Sequence, residues 1–296
     1  MTQKLFAFGL GYCAMALIEE LSLKGGWRFA GTCRREEQAA ELKAKGIEAV
    51  IDEPMGGNIA ALTDALEGTT HMLISIKPNG ENDSVLRYYY DILAALPDLD
   101  WIGYLSSTAV YGNHQGAWVD EETPPTPGLP RAKARLAAEL AWQDFGTATR
   151  KAVTCFRIAG IYGPGRGRNQ IDKIRSGRAR RIIKPDHVTC RIHRDDIVQS
   201  LRAAISTPAD QLSPIYNLCD DEPAPPQDVT AYACGLLGAP MPPSVHIDEA
   251  DLSPMAASFY EETRRVSNRR LREELGVTLR YPTYKQGLEA LAKNST

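Results

Sequence analysis

The sequence lacks any hydrophobic run long enough to cross a bilayer, which takes roughly 18 apolar residues. It also lacks the apolar segment and small-residue cleavage site of a secretory signal at its start. It has no excess of one charge, because 34 Lys and Arg nearly balance 37 Asp and Glu, for a net charge of −3. That balance leaves no strong field to attract nucleic acid or anionic lipid. We therefore expect a cytoplasmic protein with no membrane or nucleic-acid partner.

None of the six cysteines belongs to a CxxC pair or to a Cys/His cluster with zinc spacing. Most of them lie inside apolar runs, as Cys155 does between Thr154 and Phe156. This setting is typical of small buried side chains that stay reduced. The sequence therefore predicts reduced thiols and no metal site.

The composition that is present is that of a globular chain. Of the 296 residues, 43% are hydrophobic and 24% are charged, which excludes a disordered, collagen-like or coiled-coil protein. The length suggests one large α/β domain or two fused lobes.

Apolar runs alternate with helical patterns through the first half of the chain. Strands separated by helices imply parallel pairing through right-handed crossovers, so the pattern predicts a Rossmann-type doubly wound parallel sheet. The predicted strands are residues 5–8, 28–33, 48–51, 71–76, 101–105 and 153–158. The predicted helices are residues 14–23, 36–45, 85–96 and 131–145.

A glycine-rich turn joins the first predicted strand to the first predicted helix. It reads Gly9-Leu10-Gly11-Tyr12-Cys13-Ala14 and fits the pattern GxGxxA. The first glycine permits a tight turn, the second lets backbone approach a pyrophosphate, and the alanine keeps the helix close to the sheet. The helix N-terminus adds N–H groups and partial positive charge. A plain turn is the alternative, but the position of the motif favours dinucleotide binding.

The residue after the second strand distinguishes the two forms of a nicotinamide dinucleotide. An acidic residue there hydrogen-bonds the 2′-hydroxyl of NAD, whereas this strand is followed by Arg34 and Arg35. Two guanidinium groups pair well with a 2′-phosphate, so we predict NADP as the cofactor. The alternative is that both arginines only solvate the entrance to the next helix.

The alternation of predicted strands and helices becomes irregular after about residue 163, where the chain is rich in Gly and Arg. We predict a cofactor-binding domain at 1–163 and a smaller α+β substrate lobe at 164–296, with about 188–218 returning to the Rossmann sheet. The later predicted elements are strands at 188–192 and 215–218 and helices at 195–205 and 227–237.

Several short motifs appear in an order known from one family. The run 105–112, Leu-Ser-Ser-Thr-Ala-Val-Tyr-Gly, resembles the fifth-strand end of extended short-chain dehydrogenases/reductases of the NAD-dependent epimerase/dehydratase group. The further resemblances are segments 120–125, 135–139, 157–165, 192–196 and 215–218. The alignment places the family's catalytic Ser/Thr on Ser107. The resemblance implies an NAD(P)-dependent enzyme, although such members usually carry GxxGxxG in the first turn.

The catalytic Tyr-x-x-x-Lys pair of that family has no tyrosine here. One register puts Arg131 and Arg135 on the pair, and a register shifted by two puts Leu129 and Lys133 there. Arg135 is able to replace the lysine as a cation and ribose donor. Arg131 stays protonated at any working pH and cannot do the work of a phenol.

Other residues are candidates for the remaining roles that the resemblance implies. Tyr111 and His114 follow Ser107 in the loop and are candidate acid–base groups. The remaining candidate cofactor contacts are Ser75, Ile76, Lys77 and Ser106.

Positive charge concentrates where the substrate lobe begins. Arg166, Arg168 and the arginines of 175–181 suit the phosphates of a nucleotide-linked substrate, although a solvated basic helix face is the alternative. Family members place an arginine at the position of Thr189, and Arg191 lies on the same strand face in this chain. No aromatic interleaving supports nucleic-acid binding.

Two functions remain open at this point. The first is an NADP-dependent oxidoreductase or epimerase/dehydratase-like enzyme acting on a nucleotide-sugar or a similar hydroxyl or carbonyl compound. The second is a catalytically silent NADP(H)-binding sensor or regulatory module, which the absent tyrosine suggests. Apolar side chains at helical spacing in 88–96 and 136–145 are compatible with a homodimer, as in the family, or with simple packing on the sheet.

Overall fold

The computed structural model describes residues 2–53, 55–80, 83–165 and 169–293. Strands and helices alternate along most of this chain. The strands are β1 (Gln3–Phe8), β2 (Trp27–Cys33), β3 (Glu48–Ile51), β4 (His71–Ile74), β5 (Trp101–Ser107), β6 (Trp118–Val119), β7 (Ala152–Ile158), β8 (Gly160–Tyr162), β9 (Arg181–Ile183), β10 (Arg191–His193), β11 (Ile215–Leu218), β12 (Ser244–His246) and β13 (Arg265–Val266). The helices are α1 (Tyr12–Ser22), α2 (Glu36–Ala44), α3 (Ile59–Leu66), α4 (Ser84–Ala94), α5 (Pro130–Thr149), α6 (Gln170–Arg175), α7 (Arg194–Ser206), α8 (Pro226–Leu237), α9 (Pro254–Ala257), α10 (Arg269–Glu273) and α11 (Tyr284–Lys293).

Seven strands form one sheet in the order β11-β7-β5-β4-β1-β2-β3. Pairing is parallel between β1 and its neighbours β2 and β4, and also in the pairs β2–β3 and β4–β5. The strand order reverses at β1, because the chain moves outwards to β3 and then returns to β4 on the other side. This confirms the predicted doubly wound Rossmann-type sheet.

The strand sequences explain why the sheet is covered on both faces. Every residue of β4 is buried, and so are the residues of β1 after Gln3. Continuous burial is typical of parallel strands with helices on both sides. A hydrophobic cluster of buried residues includes Phe6, Phe8, Tyr104 and Trp142.

The chain divides into two compact units, and each consists of several segments. The first unit comprises residues 1–107, 130–157 and 201–216, and it contains strands β1 to β5. The second comprises residues 108–129, 158–200 and 217–296, with short parallel pairs β8–β10, β9–β12 and β6–β13. Its own hydrophobic cluster includes residues of α8 and α11. The division into a cofactor-binding domain at 1–163 and a substrate lobe at 164–296 stays a prediction.

The strand predicted at 188–192 has the wrong bounds. In the second unit the Val188 N–H donates to a side-chain oxygen, Thr263 Oγ1, and Thr189 forms an isolated antiparallel bridge with Ala224. The ladder with β8 therefore begins only at Arg191. Sequence periodicity also did not predict the strands β6, β8, β9, β12 and β13 or the helices α3, α6, α9, α10 and α11.

The described residues include no helix that is both long and apolar enough to span a membrane. Among the described residues, none of the six cysteines forms a disulfide bond, and five are buried while Cys190 is half-buried.

Candidate functional site

The glycine turn after β1 is tied to the neighbouring strand β2. Gly9 has a φ of 91°, which favours glycine, and its N–H donates to Thr32 Oγ1 at 2.9 Å. The N–H of Leu10 donates to the carbonyl of Thr32 at 2.9 Å. A Cβ built on Gly9 lies 2.5 Å from Ile76 Cγ2, so a larger residue would collide with the chain after β4. The turn is thus fixed by its surroundings.

The N-terminus of α1 follows this turn and lies open. Gly11 is the N-cap, so no side chain caps the helix, and the first turn contains no acidic residue. A Cβ on Gly11 would meet nothing within 4 Å. Ala14 is fully buried and brings the helix close to the sheet. A helix start of this kind, without its own acceptor or negative charge, suits a phosphate group.

The end of β2 presents two cations to solvent. Arg34 and Arg35 are exposed, and neither guanidinium group has a hydrogen bond or ion pair with another described residue. Gln38, which lies in the following helix, donates to the carbonyl of Leu10 at 3.2 Å. This bond ties α2 to the glycine turn. Both arginines therefore remain available near the turn for an anion.

A carboxylate at the end of β3 belongs to the same edge of the sheet, and the sequence patterns did not single it out. The Asp52 N–H donates to the carbonyl of Cys33 at 3.0 Å. Its Oδ1 accepts from Tyr89 OH at 2.6 Å and from the Gly56 N–H at 3.0 Å. Its Oδ2 is buried and has no hydrogen-bond partner among the described residues. An acidic residue directly after a short apolar strand was the available signal.

The chain after β4 lies against the glycine turn. The Ser75 N–H donates to the carbonyl of Phe8 at 2.9 Å, and Ile76 contacts the turn at Gly9. Lys77 is exposed. The structure therefore brings Ser75 and Ile76 to the predicted cofactor turn.

The end of β5 is closed by a buried ion pair. Glu139 of α5 is 1% exposed and Arg157 of β7 is 2% exposed. Arg157 donates through Nη2 to Glu139 Oε2 at 2.9 Å, and its Nε lies 3.3 and 3.2 Å from the two carboxylate oxygens. The hydroxyl of Ser106 donates to Glu139 Oε1. Ser106 is thus fully engaged inside the protein, while its neighbour Ser107 is half-buried at the strand end.

Arg135 of α5 also contacts β5. Its Nη1 donates to the Leu105 carbonyl at 2.9 Å and to Tyr104 OH at 3.0 Å, and the guanidinium carbon lies 5.6 Å from the Tyr104 ring centre. Burial raises the pKa of Tyr104 well above its usual value, and Asp83 also raises it, while Arg135 lowers it. This phenol stays protonated and does not move a proton near neutral pH. Arg131, one turn earlier in α5, is exposed.

The second unit contains the other two candidate acid–base residues. Tyr111 is fully buried, and its OH donates to Asn217 Oδ1 at 2.8 Å. His114 is half-buried, and its Nε2 lies 3.0 Å from the Tyr111 carbonyl. The Tyr111 arrangement serves packing and gives no support to a catalytic role.

Among the predicted substrate residues, Arg191 and the arginines of 175–181 are described, whereas Arg166 and Arg168 lie outside the described residues. The Nη2 of Arg191 donates to Thr189 Oγ1 at 2.5 Å and to the Ala224 carbonyl at 3.2 Å. Within the described ranges, no group of three or more His, Cys, Asp or Glu residues is placed to hold a metal ion.

The NAD dependent epimerase/dehydratase family model matches residues 75–219. A conserved protein of unknown function from Silicibacter pomeroyi is 47% identical, with 99% of each chain covered and a TM-score of 0.87. Residues 75–219 of this chain are thus similar to the NAD-dependent epimerase/dehydratase family. No curated protein matches the sequence.

Two further solved structures share the fold at lower identity. UDP-glucuronic acid 4-epimerase from Bacillus cereus, in complex with UDP-glucuronic acid and NAD, is 15% identical, with 98% of each chain covered and a TM-score of 0.78. MoeE5 in complex with UDP-glucose and NAD is 21% identical, with 98% and 97% of the two chains covered and a TM-score of 0.76. At identities this low, the TM-scores show that the three proteins share the fold and nothing more.

One helix departs from the Tyr-x-x-x-Lys pattern that the family resemblance implies. Helix α5, Pro130–Thr149, contains no tyrosine. The phenol that contacts Arg135 comes instead from β5, as Tyr104. Sequence registers could not find this contact, because it joins residues 31 positions apart on different elements.

Proposed function

We propose that this chain binds NADP(H) at the edge formed by the carboxyl ends of β1 to β4. The observation that carries the proposal is the pair Arg34 and Arg35, exposed and without partners among the described residues, beside the uncapped start of α1. In doubly wound sheets, ligands bind outside the carboxyl ends of the strands at the point where the strand order reverses. Here that point is the end of β1, which carries the glycine turn.

Different residues at this edge would bind different groups of the cofactor. Backbone at Gly11 and the start of α1 would hold the pyrophosphate, since a side chain at that position is absent. Arg34 and Arg35 would hold the 2′-phosphate through charge-assisted hydrogen bonds. The unpartnered Oδ2 of Asp52 would accept a hydrogen bond from the adenine amino group. Ser75 and Lys77 would line the ribose or the diphosphate.

We also propose that this chain catalyses hydride transfer between NADP(H) and its substrate. When bound, NADP(H) supplies or accepts a hydride. Ser107, at the half-buried end of β5, would hold the hydroxyl or carbonyl group of the substrate by a hydrogen bond. A nucleotide-sugar or similar compound is the proposed substrate, supported by the family and by the nucleotide sugars in the two structures of the same fold.

The assignment of NADP(H) as the cofactor is tested by replacing Arg34 and Arg35. Arg34→Asp combined with Arg35→Ala should lower NADPH affinity about 100-fold, because two charge-assisted bonds to the 2′-phosphate are lost. NADH affinity should change less than about threefold. Calorimetric titration of both nucleotides measures the two values.

A double variant of equal lost charge serves as the control for that titration. Lys24→Asp with Lys45→Ala replaces two exposed cations of the same unit, for the same change of three charge units, and should leave NADPH affinity nearly unchanged. Equal loss of NADPH and NADH affinity in the arginine variant would refute the 2′-phosphate assignment.

A silent NADP(H) sensor is the second candidate function. It is favoured by the absence of a tyrosine from α5 and by the engagement of Arg135 with β5. Oxidation of NADPH in the presence of a carbonyl substrate, abolished by Ser107→Ala, would exclude the sensor. Tight NADPH binding without turnover over a broad substrate panel would exclude the enzyme.

A homodimer through α4 and α5 also remains a proposal. Tyr88, Tyr90 and Leu140 of these helices are 46%, 41% and 53% exposed. Large apolar side chains on a helix surface suit an interface between copies.

A further inference from the structure

The backbone of Leu10 in the glycine turn is held from both sides of the arginine pair. The Leu10 N–H donates to the Thr32 carbonyl at 2.9 Å. The Leu10 carbonyl accepts from Gln38 Nε2 at 3.2 Å. Thr32 lies before the two arginines along the chain, and Gln38 lies after them. The segment 32–38, which we call the arginine corner, is therefore fixed at both ends to one residue of the turn.

The two ends of the arginine corner are anchored with different strength. Thr32 belongs to β2, which pairs with β1 on one side and with β3 on the other, so the sheet fixes its position. Gln38 is half-buried and lies in the first half of α2. The end at Gln38 is thus the one whose position depends on a single side-chain hydrogen bond.

Hydrophobic packing holds α2 only towards its C-terminal end. All nine residues of this helix are described, and of these only Leu42 is buried. Gln38 precedes Leu42 by four positions, so both lie on the same face of the helix. Packing of Leu42 fixes the later part of the helix, and the bond from Gln38 to Leu10 fixes its start. Loss of that bond would free the start of α2 while the rest of the helix stays attached.

The position of this helix start determines which charges meet an anion beside the end of β2. The chain reads Arg34-Arg35-Glu36-Glu37, and all four side chains are exposed. Two cations are thus followed directly by two anions. Because the energy between charges depends on their distance, a shift of the first turn would replace attraction for a phosphate by repulsion.

The backbone within the corner does not set its distance from the turn. The Cys33 thiol donates to the Arg35 carbonyl at 3.8 Å, and the Ala39 N–H donates to the same carbonyl at 3.0 Å. These bonds fix the local conformation where α2 begins, and they join residues of one continuous segment. The bond from Gln38 to Leu10 instead joins residues 28 positions apart. It therefore sets the spacing between the corner and the glycine turn.

We propose that Gln38 is a positioning residue for the choice between NADP(H) and NAD(H). The inference rests on the proposed function, in which the turn at Gly11 binds the pyrophosphate and the two arginines bind the 2′-phosphate. The Gln38–Leu10 bond holds these two phosphate sites at the spacing that lets one cofactor occupy both. Two linked groups gain affinity from each other only where the geometry permits both to bind at once. A ligand that uses one of the two sites gains nothing from the spacing.

The first test compares three ligands on one variant. Gln38→Met keeps the length of the side chain and removes the donor to Leu10. We expect NADPH affinity to fall about tenfold, because NADPH uses both phosphate sites. NADH uses the turn alone and adenosine 2′-monophosphate uses the arginines alone, so the affinity for each should fall less than about threefold. Calorimetric titration measures all three affinities.

The second test follows the helix start in the protein without cofactor. Amide hydrogen exchange at residues 39–42 should become at least about threefold faster in Gln38→Met, whereas exchange in α1 should not change. Gln143→Met, at a half-buried glutamine of α5 in the same unit, is the matched control. It should alter neither the three affinities nor the exchange in α2. Thermal unfolding checks that both variants are folded.

Four results would overturn the positioning role of Gln38. An equal fall in NADPH and NADH affinity would mean that the bond shapes the pyrophosphate turn itself. An equal fall for NADPH and adenosine 2′-monophosphate would mean that Gln38 touches the adenosine part directly. Unchanged NADPH affinity, or unchanged exchange at residues 39–42, would show that the bond does not control the spacing.

Failure of the proposed function would give a different pattern. The wild-type protein would then bind NADPH no more tightly than NADH, and replacing Arg34 and Arg35 would cause no loss specific to NADPH. The selectivity role of Gln38 would fall with that result. Faster exchange at the start of α2 in Gln38→Met would still show that the bond to Leu10 holds this helix.

Discussion

The carboxyl ends of β1 and β5 lie at the same edge of one sheet, yet they are built in opposite ways. At the end of β1, glycines leave space and the following helix is uncapped. Arg34 and Arg35, directly after β2, have no partner among the described residues. At the end of β5, Ser106, Glu139 and Arg157 are joined by hydrogen bonds inside the protein. The open edge is suited to receive a ligand, and the closed edge is suited to hold Ser107 in place.

The closed edge should show the largest effect on stability. Glu139→Ala leaves the Arg157 charge buried without its partner, so we expect a loss of about 3–5 kcal/mol in the free energy of unfolding. Urea denaturation measures this value. Glu41→Ala, at an exposed glutamate of α2, is the matched control and should change stability by less than about 0.5 kcal/mol.

A double replacement shows whether that loss comes from the unpaired charge. Glu139→Leu with Arg157→Met removes both charges and should be far less destabilising than Glu139→Ala, since buried ion pairs are often replaceable by apolar residues. A double variant as unstable as Glu139→Ala would mean that the pair matters for its shape and not for its charge.

The central strands were predictable because buried parallel strands have continuous apolar sequences. Strands β1 to β5 and β7 lie within a few residues of their predicted bounds. The two-residue strands β6 and β13 were not predictable, because they exist only by pairing Trp118 with Arg265 and Val119 with Val266 across the sequence. Local periodicity carries no information about such distant partners.

The glycine turn at the open edge contains Gly9 and Gly11. Replacing each of them by alanine should affect stability and NADPH affinity differently. Gly9→Ala places a Cβ at a positive φ and 2.5 Å from Ile76 Cγ2, so we expect a loss of about 1–3 kcal/mol in stability. Gly11→Ala meets no neighbour and should change stability by less than about 0.5 kcal/mol. Its NADPH affinity should still fall about tenfold, because the methyl group occupies the space proposed for the pyrophosphate.

Thermal unfolding and calorimetric titration on the two alanine variants separate these roles. A Gly11→Ala protein with unchanged NADPH affinity would remove the pyrophosphate from this turn. A Gly9→Ala protein of normal stability would show that Ile76 moves aside without cost.

The candidate site was partly predictable for a comparable reason. The glycine turn and Arg34 are local in sequence, so their spacing revealed them. Asp52, Tyr104 and Gln38 were not found, because their importance lies in which atoms are left without partners or which distant residue they contact. The arginine within the apolar strand 153–158 was a visible signal that a buried partner had to exist, but only the fold identifies that partner as Glu139.

Arg135 of α5 stands at the lysine of the family's Tyr-x-x-x-Lys pair and contacts the end of β5. Its replacement shows whether it only stabilises that closed edge or also binds the cofactor. Arg135→Met removes the donors to the Leu105 carbonyl and to Tyr104 OH while keeping an apolar stem, so we expect a loss of about 1 kcal/mol in stability. Lys133→Met, at an exposed lysine of the same helix, is the control. Urea denaturation and NADPH titration are measured on both variants. If Arg135 belongs to the closed edge, NADPH affinity falls less than about threefold, whereas a tenfold fall means that Arg135 binds the ribose as the family resemblance implies.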